Sequence, residues 1–267
     1  MSNALQIIQT MQKAGQKDLC SIDIDLNFTS DEKDKLVQLC SELRVEFAIS
    51  EETIEKLSFF RKEYEMSLKV GNVLMTKDLI TYLSIYLYKM SELNDCVLGD
   101  WGAFINNSTS YNINTASIES LVDEGQKYYE DKKWYLAFVN FTIVTLKANH
   151  SEAHYNLGCL KYELGVVKDA INSFDKAIEY DSNNIVPFLN RGVAYYAIGD
   201  FKRSIQDYET VIRHFPKNPD PYLNAANAYV QLKNKGKAIA YYDKAIELGS
   251  EDAKHVKETG LRLLNKS

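Results

Sequence analysis

The sequence has no run approaching the roughly 18 uninterrupted apolar residues that a membrane-spanning helix needs. Its opening Leu5-Gln6-Ile7-Ile8-Gln9 is too broken by polar residues for a secretory signal. A soluble, cytoplasmic protein is expected. Positive charge is not in excess: 31 Lys and Arg stand against 37 Asp and Glu, a formal charge of −6 that opposes attraction to phosphate backbones and anionic lipid. Neither nucleic acid nor a membrane is expected as a partner. Cysteine is scarce, and Cys20, Cys40, Cys96 and Cys159 form no Cys-x-x-Cys pair; scattered among apolar neighbours, they read as reduced, buried thiols. Gly-x-Gly-x-x-Gly, a phosphate-loop lysine signature and His-Glu-x-x-His are all missing, so no catalytic residue, metal or cofactor is expected.

What remains is ordinary folded protein. At 267 residues, 45% of them hydrophobic and 25% charged, the chain exceeds what one core usually organises. Two domains are expected: 1–105, a linker over 106–116, and 117–267. The excess charge is confined to the first part, which holds 11 basic and 17 acidic residues before Ala116 against 20 and 20 after it.

After Ala116 a period of 33 or 34 residues is visible. Gly125, Gly158, Gly192 and Ala226 recur at that spacing, and Ala137, Ala170, Ser204 and Ala238 follow each by twelve. An aromatic comes four later (Phe141, Phe174, Tyr208, Tyr242), then Val144, Ala177, Val211 and Ala245 three beyond that. Offsets of four and three share one helical face. Each unit therefore reads as two antiparallel helices, with small residues at the close crossing and aromatics filling the gap between pairs. One such pair cannot cover its own apolar face, so stacking stabilises the array. Gly165 and Gly199 mark turns within units; Asp181-Ser182-Asn183-Asn184 and Pro216-Lys217-Asn218-Pro219 mark turns between them.

This pattern resembles the tetratricopeptide repeat (TPR), most closely at Tyr155-Asn156-Leu157-Gly158 through Leu164-Gly165, Ala170, Phe174 and Ala177. The resemblance covers Ile118 to Ser250 and implies an all-α solenoid of four helix-turn-helix repeats, closed by a helix over 253–264 whose polar face carries Lys254, Lys257, Glu258, Arg262 and Lys266. Departures include Glu124 in place of leucine, Lys161 in place of tyrosine, and Ala226 and Lys233 in place of glycines. These are expected to weaken individual turns without breaking the register.

In that family the first helices line a concave groove, and residues two before the repeat glycine commonly face it. Here they are Asp123, Asn156, Asn190 and Asn224. Three asparagines in a ladder suit the backbone of an extended peptide, since a carboxamide donates and accepts at once. Tyr155, Leu189 and Leu223 would add apolar contact, and Asn227 a further polar one. Equally, asparagine at that position holds the neighbouring helix without touching any ligand. The family's two-carboxylate clamp for heat-shock protein tails would need a lysine and an asparagine where this chain has Val122 and Gln126, and a lysine and an arginine where it has Val186 and Asn190; only the asparagine at Asn156 matches, and the clamp is rejected.

The N-terminal part implies a small α+β or α/β domain. Residues 21–28 alternate as a strand; Leu36, Leu39, Cys40 and Leu43 mark a helix; Val45, Phe47 and Ile49 suggest a second strand. Ser50 would cap a longer helix through Ile54, Leu57, Tyr64 and Leu68, ending at Gly71. A helix after Thr76 uses Leu79, Leu83, Leu87 and Met90, and 96–104 reads as a last strand. Asp23, Asp25, Asn27, Asp31 and Asp34 imitate a calcium loop, but Phe28 stands where such a loop needs glycine, and strand alternation explains the same residues. His150 and His154 could share a helical face, although packing is the expected role of His154. On a strand, Trp101 would either line an N-terminal ligand pocket or fill a small core, and Trp134 sits where the repeat expects an aromatic near the turn.

The function expected is that of a non-enzymatic adaptor or chaperone-like protein that holds a protein or peptide partner in the groove, with Asp123, Gln126, Tyr155, Asn156, Leu189, Asn190, Leu223, Asn224 and Asn227 as candidate contacts. The alternatives are an enzyme or small-ligand sensor in the N-terminal domain with the repeats recruiting its partner, and self-association through the repeats.

Overall fold

The computed structural model describes residues 20–45, 47, 49–56, 64–75, 77–110 and 116–265. They fall into two units, 1–147 and 148–267.

The first unit begins with four strands and two helices: β1 (Cys20–Ser30), α1 (Lys33–Leu43), β2 (Ile49–Lys56), β3 (Tyr64–Met75), α2 (Lys77–Leu93) and β4 (Val97–Ser110). The strands form one antiparallel sheet in the order β2-β3-β1-β4, so each helical crossover leaves room for a strand between the two it joins. This is the split β-α-β arrangement of an α+β domain. Alternation on β1 drives it: Ile24, Leu26 and Phe28 are buried, and in register with them on β3 are Val70, Leu68 and Met66. Leu36, Leu39, Cys40 and Leu43 of α1 and Leu83, Tyr86 and Leu87 of α2 are buried too, as the amphipathic pattern requires. On the opposite face, Ser67 Oγ donates to Asn27 Oδ1 at 2.7 Å.

Two expectations here need correction. Val45 and Phe47 are not strand: Val45 is exposed, and Phe47 is a buried residue in the connection ahead of β2, its ring 6.1 Å from Tyr86. The long helix from Ser50 to Gly71 is instead the strand pair β2 and β3. Helical spacing linked Ile54, Tyr64 and Leu68, but the burial has period two: Met66 and Leu68 are buried while Ser67 is exposed. Pairing with strands on both sides of β3 outweighs the local helical pattern. Gly71 stops nothing; it lies where β3 carries one extra residue between Val70 and Val73, opposite Ile24 and Ile22, a bulge at which glycine is favoured. Residues 23–28, the first half of the would-be calcium loop, lie in a strand paired on both edges, and Asp34 is already in α1. β4 continues to Ser110, into the stretch read as linker, and 111–115 lie outside the described residues, as do the side chains of Trp101, Asp23 and Asp25.

Helices α3 (Ile118–Glu130) and α4 (Trp134–Lys147) complete the first unit. Ser117 caps α3 by accepting from Ser120 N at 3.1 Å. Tyr135 of α4 stacks on Phe47 at 4.8 Å, so this pair packs against the sheet domain.

The second unit is helical throughout: α5 (Ser151–Glu163), α6 (Val167–Tyr180), α7 (Val186–Ala197), α8 (Phe201–His214), α9 (Asp220–Gln231), α10 (Lys235–Glu247) and α11 (Glu251–Asn265). All four pairs share one internal geometry. Ala137, Ala170, Ser204 and Ala238 are fully buried, as are Phe141, Phe174, Tyr208 and Tyr242 to within two per cent. A Cβ added at Gly125, Gly158 or Gly192 would stand 2.7, 2.5 or 2.7 Å from the ring sixteen residues on, so the ring lies directly on the helix backbone. Each turn inside a pair places one residue at positive φ: Lys132, Gly165, Gly199 and Lys233, at 60°, 79°, 80° and 57°. Trp134 meets Tyr129 edge-on at 5.3 Å, repeated at Phe201 and Tyr196.

Candidate functional site

In the second unit the first helices of successive pairs touch directly: α5 on α7, α7 on α9 and α9 on α11, while the second helices α6, α8 and α10 come less close to one another. The first helices therefore form the inner layer. Spacing of four, three and four places one stripe on each: Glu152, Asn156, Cys159 and Glu163 on α5; Val186, Asn190, Val193 and Ala197 on α7; Asp220, Asn224, Asn227 and Gln231 on α9. Tyr155, Leu189 and Leu223 lie beside the second residue of each stripe and are half-buried.

The three asparagines are not equivalent. Asn190 Nδ2 donates to Tyr155 Oη at 3.1 Å and to Cys159 Sγ at 3.4 Å, tying α7 to α5. Asn224 has Leu189 and Val193 at the corresponding positions of α7, neither able to accept; it is half-buried and has no side-chain partner among the described residues. Asn156 is buried to 8% exposure, and its Nδ2 has no hydrogen-bond partner. Asn227 Oδ1 accepts from Tyr242 Oη at 2.6 Å and so is spent within its own pair. Tyr155 leans on Phe174 with centroids 6.1 Å apart. Asp123 and Gln126 belong to α3 in the first unit, Asp123 exposed and Gln126 donating to Glu130 Oε1 at 3.2 Å.

Behind the stripe, Arg191 forms an ionic node that the sequence reading did not single out. Its Nε and a terminal nitrogen bind Asp207 at 2.8 and 2.6 Å, and the other terminal nitrogen binds Asp175 at 2.6 Å, joining α7 to α8 and α6. Burial opposes the charge on Arg191, but the two carboxylates outweigh it and hold its pKa above the ordinary arginine value. The available signal was a register mismatch: Arg191 stands where the preceding pair has Leu157 and the following pair Ala225.

The histidines have separate structural roles. His150 caps α5, accepting from Ala153 N at 3.2 Å. His154 packs against Tyr180, and burial, reinforced by Lys161 and Lys176, lowers its pKa to about 4. Among the described residues, no three His, Cys, Asp or Glu are grouped to hold a metal ion, and no helix is long and apolar enough to cross a membrane.

The sequence matches the family described as tetratricopeptide repeat over residues 189–253, and that described as TPR repeat over 158–199. Residues 158–253 are tetratricopeptide repeats. Several solved structures are similar to the chain. YrrB, a TPR protein with an unusual peptide-binding site, is 17% identical with a TM-score of 0.51, covering 68% of this chain and 88% of its own. MamA is 22% identical with a TM-score of 0.49, covering 53% and 83%. A TPR protein from Parabacteroides merdae ATCC 43184 is 22% identical with a TM-score of 0.49, covering 56% and 59%. No curated protein matches the chain.

Proposed function

We propose that this protein is a non-enzymatic adaptor or chaperone-like protein that holds an extended segment of a partner protein along α5, α7, α9 and α11. The observation that carries the reading is Asn224. A half-buried carboxamide with no internal partner, flanked by apolar Leu189, Val193 and Leu223, offers one donor and one acceptor to a peptide backbone. The spacing is compatible, since helices about 10 Å apart meet a strand rising about 3.3 Å per residue once in about three residues. The similarly folded YrrB, with its peptide-binding site, supports the same use of the scaffold. Free thiols at Cys40, Cys96 and Cys159 suit a reducing, cytoplasmic compartment.

The roles of the asparagines then divide, with Asn224 meeting the ligand and Asn190 positioning α5 against α7. On an array of peptides of about ten residues, Asn224→Ala is expected to weaken the retained peptides about tenfold with helicity and melting unchanged. Asn190→Ala is expected to lower the melting temperature. Undiminished capture by Asn224→Ala, or an array from which the folded protein retains nothing, would contradict the assignment.

A further inference from the structure

We propose that the outer edge of β4 pairs with the same edge of a second copy of this chain, antiparallel and centred on Ala103, so that two four-stranded sheets join into one. The proposal concerns the sheet domain alone and is independent of the groove reading above.

The sheet ends on β2 at one side and on β4 at the other, and the two edges are built differently. β2 is short and carries Glu51, Glu52, Glu55 and Lys56 among its 8 residues, the kind of charge that keeps an edge from recruiting another strand. β4 has 14 residues, with Asp100 as its one charged residue and neither lysine nor proline. Among the described residues, no strand pairs with its outer edge, along which backbone N–H and C=O groups at alternate residues are offered to a further strand.

The sequence of that edge complements itself. Trp101 to Ile105 keep an unbroken register with Leu26 to Ile22 of β1, bounded by a register shift on either side, so this stretch is the part that another strand can follow. A two-fold axis through Ala103 sets Gly102 of each copy opposite Phe104 of the other, Trp101 opposite Ile105, and Asp100 opposite Asn106. Aromatic faces glycine, aromatic faces β-branched residue, and the one carboxylate meets a carboxamide rather than its own kind. Each of these pairings occurs twice, as an isologous interface requires. So few residues make a small interface, and the dimer is reversible and dependent on concentration.

The test uses the full chain in sedimentation velocity over a concentration series, where the mass is expected to rise from that of one chain toward that of two. Phe104 is in register with Asp23 of β1, a position at which lysine suits the sheet, so Phe104→Lys should keep its circular dichroism. It is expected to weaken the dimer about tenfold, since two aromatic–glycine pairings are lost per dimer. Ala103→Cys lies opposite its own copy and is expected to be trapped by mild oxidation as a covalent dimer, with the bridge mapped by mass spectrometry to position 103 of both chains. Asn106→Cys lies opposite Asp100 and should give little of that product. A chain that stays monomeric at every concentration, whether its β4 edge is open or covered by another part of the same chain, would overturn the proposal. So would a dimer that Phe104→Lys leaves at full strength, or one that Ala103→Cys does not link through position 103.

Discussion

The two middle helix pairs and the two flanking them make the same turn with different residues. Gly165 and Gly199 take the left-handed backbone conformation at no steric cost, while Lys132 and Lys233 take it with a full side chain. Yet the hydrogen bonds closing the turn are alike in all four: Lys133 N to Tyr128 O, Val166 N to Lys161 O, Asp200 N to Tyr195 O and Asn234 N to Tyr229 O, at 2.8 to 2.9 Å. What stays constant is the crossing, where a buried small residue meets a buried aromatic in every pair, the ring lying on the opposing backbone at Gly125, Gly158 and Gly192. The geometry of each pair is therefore held by packing at its own crossing, and the turn follows.

The sharpest way to break that comparison is at a crossing. Gly158→Val would place a Cβ 2.5 Å from Phe174 Cε1 and push branched methyls further into the ring, with an expected loss of about 3 kcal/mol in chemical denaturation. A loss below about 1 kcal/mol would mean the crossings are loose. Next is the ionic node centred on Arg191 of the third pair. Arg191→Ala strands Asp207, whose side chain is 6% exposed, and is expected to cost about 2–3 kcal/mol. Combining Arg191→Leu with Asp207→Ser, the residues of the second pair at those positions, should recover most of that loss, because it removes both charges together.

A smaller effect separates the second pair from the rest by pH. His154 is held neutral down to about pH 4 in the fold but gains its proton near pH 6.5 when unfolded. Between those values the unfolded chain binds more protons, so stability is full above about pH 6.5 and falls as the pH drops. Discounted for partial exposure, the loss is about 1–2 kcal/mol by pH 4.5, and His154→Phe should remove this share from the melting profile. The smallest change concerns the turns themselves. Lys132→Gly and Lys233→Gly should each stabilise by about 0.5–1 kcal/mol by relieving the left-handed conformation, whereas glycine is already present in the middle pairs.

Legibility in the sequence followed the same division. The helix pairs announced themselves because Gly158, Ala170 and Phe174 have counterparts at a fixed interval, and a register repeated four times averages out departures such as Ala226. The sheet domain offers each element once. Its β1 and both helices were readable from strong periodicity, but the segment containing Ile54, Tyr64 and Leu68 satisfied helical spacing by chance, and only pairing with β1 made β3 a strand. In the groove, the sequence supplied the asparagine ladder but could not distinguish its rungs. Whether Asn190 or Asn224 is free depends on whether Tyr155 and Cys159 or Leu189 and Val193 stand opposite, which is known only once the helices are placed.

The most direct measurement of the central claim is the nitrogen-15 spectrum of the side-chain carboxamides during titration with a peptide that the protein retains on the array. The Asn224 resonance should shift progressively with occupancy, while that of Asn190 stays close to its position in the free protein because its bonds to Tyr155 and Cys159 persist. An Asn224 signal that remains still while the peptide binds would place the ligand elsewhere and contradict the account.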